Sequence, residues 1–238
     1  MADSKKVAAV IGVGAGLGNA LAQRFAREYS VALVARGAEK LEGFAKEIEK
    51  GGGRALPVSA DVSKAADIEA AFAKIRAELG DVDVLLYNAA MRPFGRLMET
   101  KPSTFENTWR VTTFGAFLCA QQVVPAMLKK GAGAIIITGA TAGIKPFPTS
   151  AAFGPAKFAV RGLAQVMARD LQPQGIHVAY INVDGAIDMP AIRERFPQIK
   201  DDQMLKPSAI AETFWHVVHQ DRSAWSHDVD VRPFKENW

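Results

Sequence analysis

The chain has 238 residues, of which 49% are hydrophobic and 23% are charged, and its formal net charge is +4. This length and composition suit one large α/β domain with a substantial core. No linker, repeat or low-complexity run divides the sequence, so residues 1–238 are predicted to form a single domain. The basic residues are dispersed among Glu and Asp, which indicates a solvated surface and excludes a concentrated nucleic-acid patch.

The sequence also indicates a cytoplasmic enzyme or binding protein. The N-terminal residues pass directly into an apolar run, without the long hydrophobic region and cleavage site of a secretory signal. The single cysteine, Cys119, excludes an intrachain disulfide framework and suits a reducing compartment. Residues 111–128 carry no formal charge, but their threonines, glutamines and Pro125 favour a buried helix over a membrane span.

Short apolar runs alternate with amphipathic stretches along the chain. Strands are predicted, in order, at residues 7–12, 31–35, 56–59, 82–87, 134–138 and 177–182. Helices are predicted at 17–28, 38–50, 64–79, 102–130, 152–172 and 208–220. This alternation predicts a doubly wound parallel sheet of the Rossmann type, with helices on both faces and ligands outside the carboxyl ends of the strands.

The first strand ends in a glycine-rich turn, VIGVGAGLG, with glycines at positions 12, 14, 16 and 18. Glycine allows the backbone to turn tightly and to approach a pyrophosphate, whose charge meets the free amides of the following helix. The spacing is G-x-x-x-G-x-G through Gly12, Gly16 and Gly18. Close packing of strand and helix is an alternative reason for the same glycines.

The end of the second strand carries Arg36 and no carboxylate. Dinucleotide-binding folds place an acid there to bind the ribose 2′-hydroxyl, or an arginine where a 2′-phosphate must be held. Together with the glycine turn, Arg36 favours NADP (NADPH) over NAD. A solvated arginine is the alternative interpretation.

Across nearly its whole length the chain resembles the short-chain dehydrogenase/reductase family. The matching segments are the glycine turn, Asp61-Val62, Asn88-Ala89-Ala90 and Lys157. The resemblance implies that the Asp-Val pair contacts adenine and that the Asn-Ala segment lines the cofactor; Ala90 replaces the family's usual glycine. A looser match places Gly185 beside the nicotinamide. The predicted cofactor residues are therefore Gly12, Gly14, Gly16, Leu17, Gly18, Arg36, Asp61, Val62, Asn88, Ala89, Lys157 and Gly185.

The catalytic positions depart from the family pattern of Asn, Ser, Tyr and Lys. By the family's spacing, Phe153 stands at the Tyr position, Ala140 at the Ser position and Thr112 at the Asn position, so that only Lys157 matches. Carbonyl reduction requires a proton for the developing alkoxide, and phenylalanine has none to give. In the family the lysine lowers the tyrosine pKa and holds the nicotinamide ribose, so Lys157 is interpreted chiefly as a cofactor anchor.

Other side chains are possible proton donors, although each has an ordinary role as a turn, capping or core residue. These are Tyr87, Thr138, Thr141, Ser150, Asp184 and Asp188. Sequence alone assigns none of them. Two function classes therefore stay open: an NADPH-dependent oxidoreductase acting on a small carbonyl or conjugated substrate with a non-standard proton donor, and a catalytically inactive NADP-binding sensor, scaffold or subunit.

Two remaining features concern partners and metals. His216 and His219 lie three residues apart without a cysteine or carboxylate to complete a ligand set, so no metal is predicted. The C-terminal segment alternates like an edge strand, and Trp225, Phe234 and Trp238 are expected to fill the core or to contact a neighbouring subunit. The family resemblance implies a homodimer or homotetramer built from the long helices after the fourth and fifth strands.

Overall fold

A computed structural model describes residues 5–235, and in it a seven-stranded parallel sheet forms the centre of the fold. The strands of this sheet are β1 (Val7–Ile11), β2 (Ser30–Ala35), β3 (Arg54–Ser59), β4 (Val82–Tyr87), β5 (Gly133–Thr138), β6 (Ile176–Val183) and β9 (Asp228–Val231). Their order is β3-β2-β1-β4-β5-β6-β9. The six predicted strands are all present, and the apolar runs are buried because helices cover both faces of the sheet.

Helices form one layer on each side of the sheet. One core cluster joins the sheet to α1 (Leu17–Phe25), α2 (Ala38–Lys50) and α8 (Pro207–Val218). The opposite cluster joins it to α3 (Ala65–Glu78), α5 (Gly115–Lys130) and α6 (Phe153–Leu171). The predicted doubly wound Rossmann-type sheet is thus confirmed.

The direction in which strands are added reverses at β1, because β2 lies on one side of it and β4 on the other. A crevice therefore opens at the carboxyl ends of β1 and β4, where doubly wound folds bind ligands. The turns that follow both strands carry the glycine motif and Asn88. The fold thus positions the site.

The predicted helix over residues 102–130 is interrupted. It consists of α4 (Pro102–Trp109), a π-helical turn (Arg110–Phe114) and α5. The whole stretch is long and apolar enough to cross a membrane by length and composition, but α5 packs against β4, β5 and α3. We therefore interpret it as a core helix, as the sequence predicted.

Residues 186–205 contain short elements that the sequence did not predict. They are β7 (Ala186–Ile187), α7 (Pro190–Arg195) and β8 (Met204–Leu205), and β7 pairs with β8. Strands of two residues and a six-residue helix are too short to produce a readable periodicity. This segment lies over the carboxyl end of the sheet and contributes side chains to both clefts described below.

The C-terminal segment agrees with the prediction in part. The expected edge strand is β9, parallel to β6, and the Trp225 ring stacks on His177 with ring centroids 4.6 Å apart. Phe234, however, is 82% exposed and does not fill the core, because the chain turns outward after β9. Trp238 lies outside the described residues.

Candidate functional site

The glycine turn after β1 combines close packing with an open backbone. Gly12 has a φ of +91°, and a Cβ there would lie 2.5 Å from the Ala89 amide nitrogen. A Cβ on Gly18 would lie 2.5 Å from the Gly12 carbonyl oxygen. These two glycines are therefore required by packing of the backbone itself, which the sequence left as an alternative.

The other two glycines leave room for a ligand. A Cβ on Gly14 would meet no atom within 4 Å, and a Cβ on Gly16 would meet only the flexible Met189 side chain, 3.1 Å from its sulfur. No described side chain caps the N-terminus of α1 at Gly16. The free amides and positive end of α1 thus face open space, which fits the phosphates of a dinucleotide.

A cleft of about 420 Å³ opens above this turn, and we call it the first cleft. It brings together ten of the twelve predicted cofactor residues, namely Gly12, Gly14, Gly16, Leu17, Gly18, Arg36, Asp61, Val62, Asn88 and Ala89. The other two, Lys157 and Gly185, line an adjoining cleft. Met189 and Ile187 line both clefts, and sequence reasoning missed them because no element was predicted around them.

Arg36 and Asp61 form the polar wall of the first cleft. Arg36 is exposed, and no ion pair holds its guanidinium among residues 5–235. Partial burial opposes ionisation of Asp61, but hydrogen bonds from Ser63 lower its pKa, with smaller contributions from Lys64 and Arg36. The Asp61 carboxylate is therefore charged and anchored by the Ser63 amide (3.0 Å) and hydroxyl (2.7 Å).

Asn88 ties the ends of β1 and β4 together, whereas Thr112 lies outside both clefts. The Asn88 amide side chain donates to the Gly12 carbonyl at 3.0 Å. Thr112 is buried in the π-helical turn, and its hydroxyl accepts a 3.4 Å hydrogen bond from the Met91 amide. The residue at the family's Asn position thus does not reach the cleft surface as a catalytic group would.

The second cleft, also of about 420 Å³, contains the other predicted catalytic positions. Phe153 begins α6, Lys157 follows one turn later, and Ala140 lies on the loop after β5; all three line this cleft. Lys157 Nζ lies 5.8 Å from the centroid of the Phe153 ring. The ring and the methyl group occupy positions where the family resemblance implies hydroxyls.

Lys157 is the most chemically unusual group in this cleft. The side chain is buried, and Nζ donates a 2.7 Å hydrogen bond to the Thr138 carbonyl oxygen. Burial lowers the pKa of Lys157 to about 7, because no carboxylate pairs with the ammonium group in the described part of the chain. Lys157 is therefore poised to exchange a proton near neutral pH.

Two of the alternative proton donors, Tyr87 and Ser150, lie outside the second cleft. The Tyr87 hydroxyl is buried and donates to the Val111 carbonyl, and the Ser150 hydroxyl donates to the Phe147 carbonyl at 2.6 Å. Neither side chain lines the second cleft. Both hydroxyls are instead engaged by backbone carbonyl groups.

The two carboxylates are also engaged elsewhere. Asp184 is buried between Lys145, at 3.6 Å, and Arg232, at 3.5 Å. Arg193 hydrogen-bonds to Asp188 and lowers its pKa, so that this carboxyl is ionised at neutral pH. Neither residue lines the second cleft.

Thr138 and Thr141 do line the second cleft. Thr138 Oγ1 is buried and has no hydrogen-bond partner within residues 5–235. A buried hydroxyl without a partner is unfavourable unless a ligand completes its bonding. Thr138 was one of several hydroxyls in the sequence, and only the structure distinguishes it by this missing partner.

Comparison with known proteins decides the family. The short-chain dehydrogenase model matches residues 6–198. This chain belongs to the short-chain dehydrogenase family. Among curated relatives of this short-chain dehydrogenase is 2-(S)-hydroxypropyl-CoM dehydrogenase 3 of Xanthobacter autotrophicus, 34% identical over 174 residues, which cover 73% of this chain and 68% of the relative.

Solved structures agree with this assignment. A short-chain dehydrogenase from Rhodopseudomonas palustris is 31% identical with a TM-score of 0.83, and the match covers 96% of this chain and 99% of that one. A metagenomic short-chain oxidoreductase in complex with NADP is 28% identical with a TM-score of 0.85, and the match covers 97% and 98% of the two chains. The family membership and the oxidoreductase fold are thus established for this chain.

Proposed function

We propose that this short-chain dehydrogenase is an NADPH-dependent oxidoreductase that reduces a small organic carbonyl or conjugated substrate, with Lys157 in place of a tyrosine as the proton donor. The observation that carries the proposal is that buried Lys157, whose Nζ donates to the Thr138 carbonyl, and the unpartnered Thr138 hydroxyl line one cleft, which adjoins the glycine turn. Bound NADPH would supply the hydride.

Several residues would hold that cofactor. The free amides at the start of α1 suit the pyrophosphate, and Arg36 suits a 2′-phosphate because its guanidinium is uncommitted to any described carboxylate. The NADP complex of the metagenomic oxidoreductase supports the same choice. Asp61, Val62, Asn88 and Ala89 would complete the adenine and ribose walls, and Gly185 would lie near the nicotinamide.

Thr138 and Lys157 would stabilise and then neutralise the negative charge that develops on the substrate oxygen. Ala140 has no hydroxyl with which to polarise a substrate carbonyl. We therefore assign that role to the Thr138 hydroxyl, which would donate a hydrogen bond to the substrate oxygen. A proton then passes from Lys157 Nζ to that oxygen, which leaves a neutral amine that water reprotonates. A lysine with a pKa near 7 is matched to this task at neutral pH.

Phe153 and Ala140 would then serve to keep the cleft apolar around the reacting atoms. Phe153 is 5% exposed and lies over the same cleft as Lys157. Its ring excludes water from the ammonium group and so contributes to the burial that lowers the lysine pKa. The aromatic replacement and the perturbed lysine are therefore parts of one arrangement.

The experiment is a comparison of binding with turnover. NADPH binding is measured by cofactor fluorescence, and NADPH oxidation is followed with a panel of ketones, aldehydes and enones. The proposal expects both binding and turnover. Tight NADPH binding without turnover on any member of the panel would instead favour the inactive sensor, scaffold or subunit.

We also propose a homodimer or homotetramer in the cytoplasm. The support is a set of exposed apolar side chains along α4, α5 and α6, comprising Phe105, Trp109, Phe117, Phe158 and Val166. Such a surface is typical of protein contacts. Sedimentation equilibrium should give a mass of two or four chains, and a monomer at micromolar concentration would contradict this assembly.

A further inference from the structure

The charged lining of the second cleft is entirely cationic. Among the lining residues within 5–235, only Arg92 and Lys157 carry a charge, and the other side chains are apolar, small, hydroxyl or amide groups. Arg92 follows β4 and Lys157 lies on α6, so the two cations come from separate elements. Each approaches the Phe153 ring, with Arg92 Cζ 6.0 Å and Lys157 Nζ 5.8 Å from its centroid.

A second arginine lies beside Arg92 at the rim. Arg195, at the end of α7, stacks over the Phe94 ring with Cζ 3.9 Å from the centroid, and Arg92 Cζ lies 5.2 Å from the same centroid. Phe94 in turn packs against Phe196, which lines the cleft. Two guanidinium groups thus share one aromatic ring beside the cleft.

This pair lacks a compensating anion in the described chain. Neither Arg92 nor Arg195 has a carboxylate within ion-pair distance among residues 5–235. Burial in the cleft wall and the neighbouring Arg195 both lower the pKa of Arg92. Two like charges held this close, beside a third cation in the cleft, favour binding of an anion.

We propose that the second cleft recognises an organic carboxylate, specifically a carbonyl compound whose carboxylate binds Arg92, with Arg195 at the rim, while its carbonyl lies at Lys157. A guanidinium fork matches a carboxylate in a bidentate geometry. This inference rests on the proposed function, since it names the substrate class of the same site.

The other residues that line the cleft indicate the chemical nature of the part of the substrate between its carbonyl and its carboxylate. Phe147, Ile192, Phe196 and Ile199 give the cleft apolar lining in addition to the Phe153 ring. An aryl or alkyl chain that joins the carbonyl to the carboxylate would bury its apolar surface there. The class is therefore an apolar oxo acid.

The test compares benzoylpropionate with its neutral methyl ester, which differ in charge and share the aryl ketone. NADPH-dependent kcat/KM is measured for the two compounds, and their equilibrium binding is measured on the complex with oxidised NADP, which has no hydride to transfer. The variants are Arg92→Gln and Arg195→Gln, with Arg169→Gln as a matched control that removes one positive charge from an exposed position on α6 outside the cleft.

The wild type is expected to prefer the acid over the ester by about ten- to a hundredfold, the range of a hydrogen bond to a charged group. Arg92→Gln should bring this ratio close to unity, Arg195→Gln should reduce it partly, and Arg169→Gln should leave it unchanged. A wild-type ratio at or below unity, or an unchanged ratio in Arg92→Gln, would overturn the carboxylate site.

The binding measurement separates this inference from the proposed function. If neither compound is turned over but the acid binds preferentially through Arg92, the reductase assignment fails and the carboxylate site stands. If both compounds are reduced at equal rates, the reductase assignment stands and the carboxylate site is refuted.

Discussion

Replacement of Lys157 by arginine separates proton donation from positive charge. Arginine keeps a cation and hydrogen-bond donors near the Thr138 carbonyl, but its pKa lies above about 12, so it cannot release a proton near neutral pH. Lys157 is 3% exposed and burial lowers its pKa to about 7. Lysine and arginine at this position thus differ mainly in their ability to release a proton, which the proposed mechanism requires.

The expected magnitude follows from the role of a general acid. Loss of a positioned acid typically costs about 10²- to 10⁴-fold in rate, and we expect a loss near the lower end because water is an alternative donor. In the wild type, kcat/KM for reduction should be level below pH 7 and should fall tenfold per pH unit above it, because the protonated lysine is the active form. This break should be absent in Lys157→Arg.

The assay is a pH series of NADPH oxidation with a ketone substrate, with NADPH affinity measured separately at each pH. Since an arginine fits a buried site less easily, Lys157→Ala with added methylamine provides a second test, in which the amine should restore part of the rate. The control variants are Lys129→Arg and Lys129→Ala, because Lys129 is exposed and lies outside the cleft. A wild-type profile without a break near pH 7, or a Lys157→Arg profile that retains it, would refute the assignment.

Three further predictions concern the cofactor and the missing hydroxyls. Arg36→Asp should weaken NADPH binding and favour NADH, since a carboxylate suits a 2′-hydroxyl; equal wild-type affinity for NADH and NADPH in a fluorescence titration would contradict this. Gly14→Val should weaken NADPH binding without lowering the melting temperature, because a Cβ there meets no atom within 4 Å; unchanged affinity would argue against phosphate binding at the turn. Phe153→Tyr with Ala140→Ser should not raise ketone reduction above the wild-type rate, because Lys157 and Thr138 already supply the proton and the hydrogen bond and a new buried hydroxyl is unfavourable; a large gain in steady-state rate that Lys157→Ala removes would show that the wild-type site lacks a competent acid.

The sequence predicted the sheet and most of the residues that line the first cleft because both depend on local pattern. Buried parallel strands read as short apolar runs, and the glycine turn must follow β1 immediately. The bounds differ by a few residues at the ends, as for the first helix, predicted to Glu28 and observed to Phe25. Helix ends depend on capping and tertiary contacts, which periodicity does not report.

Several residues that line the second cleft could not be predicted from local sequence pattern. Arg92, Met189 and Phe196 lie on loops or short elements, and only the fold brings them beside Lys157. Burial of Lys157 and the missing partner of Thr138 are likewise tertiary properties. The sequence identified the absence of the tyrosine, whereas the structure was needed to find the groups that we propose in its place.

Hydride transfer from NADPH to a substrate in the second cleft would be recorded by transfer of deuterium from the cofactor. NADPH deuterated at the transferable C4 position is incubated with the protein and an oxo acid, and the product is analysed by mass spectrometry. We expect the wild type to form a hydroxy acid that carries one deuterium on the former carbonyl carbon, and we expect Lys157→Arg to form much less of it. Tight NADPH binding with no deuterated product from oxo acids, simple ketones or enones would contradict the proposed hydride transfer.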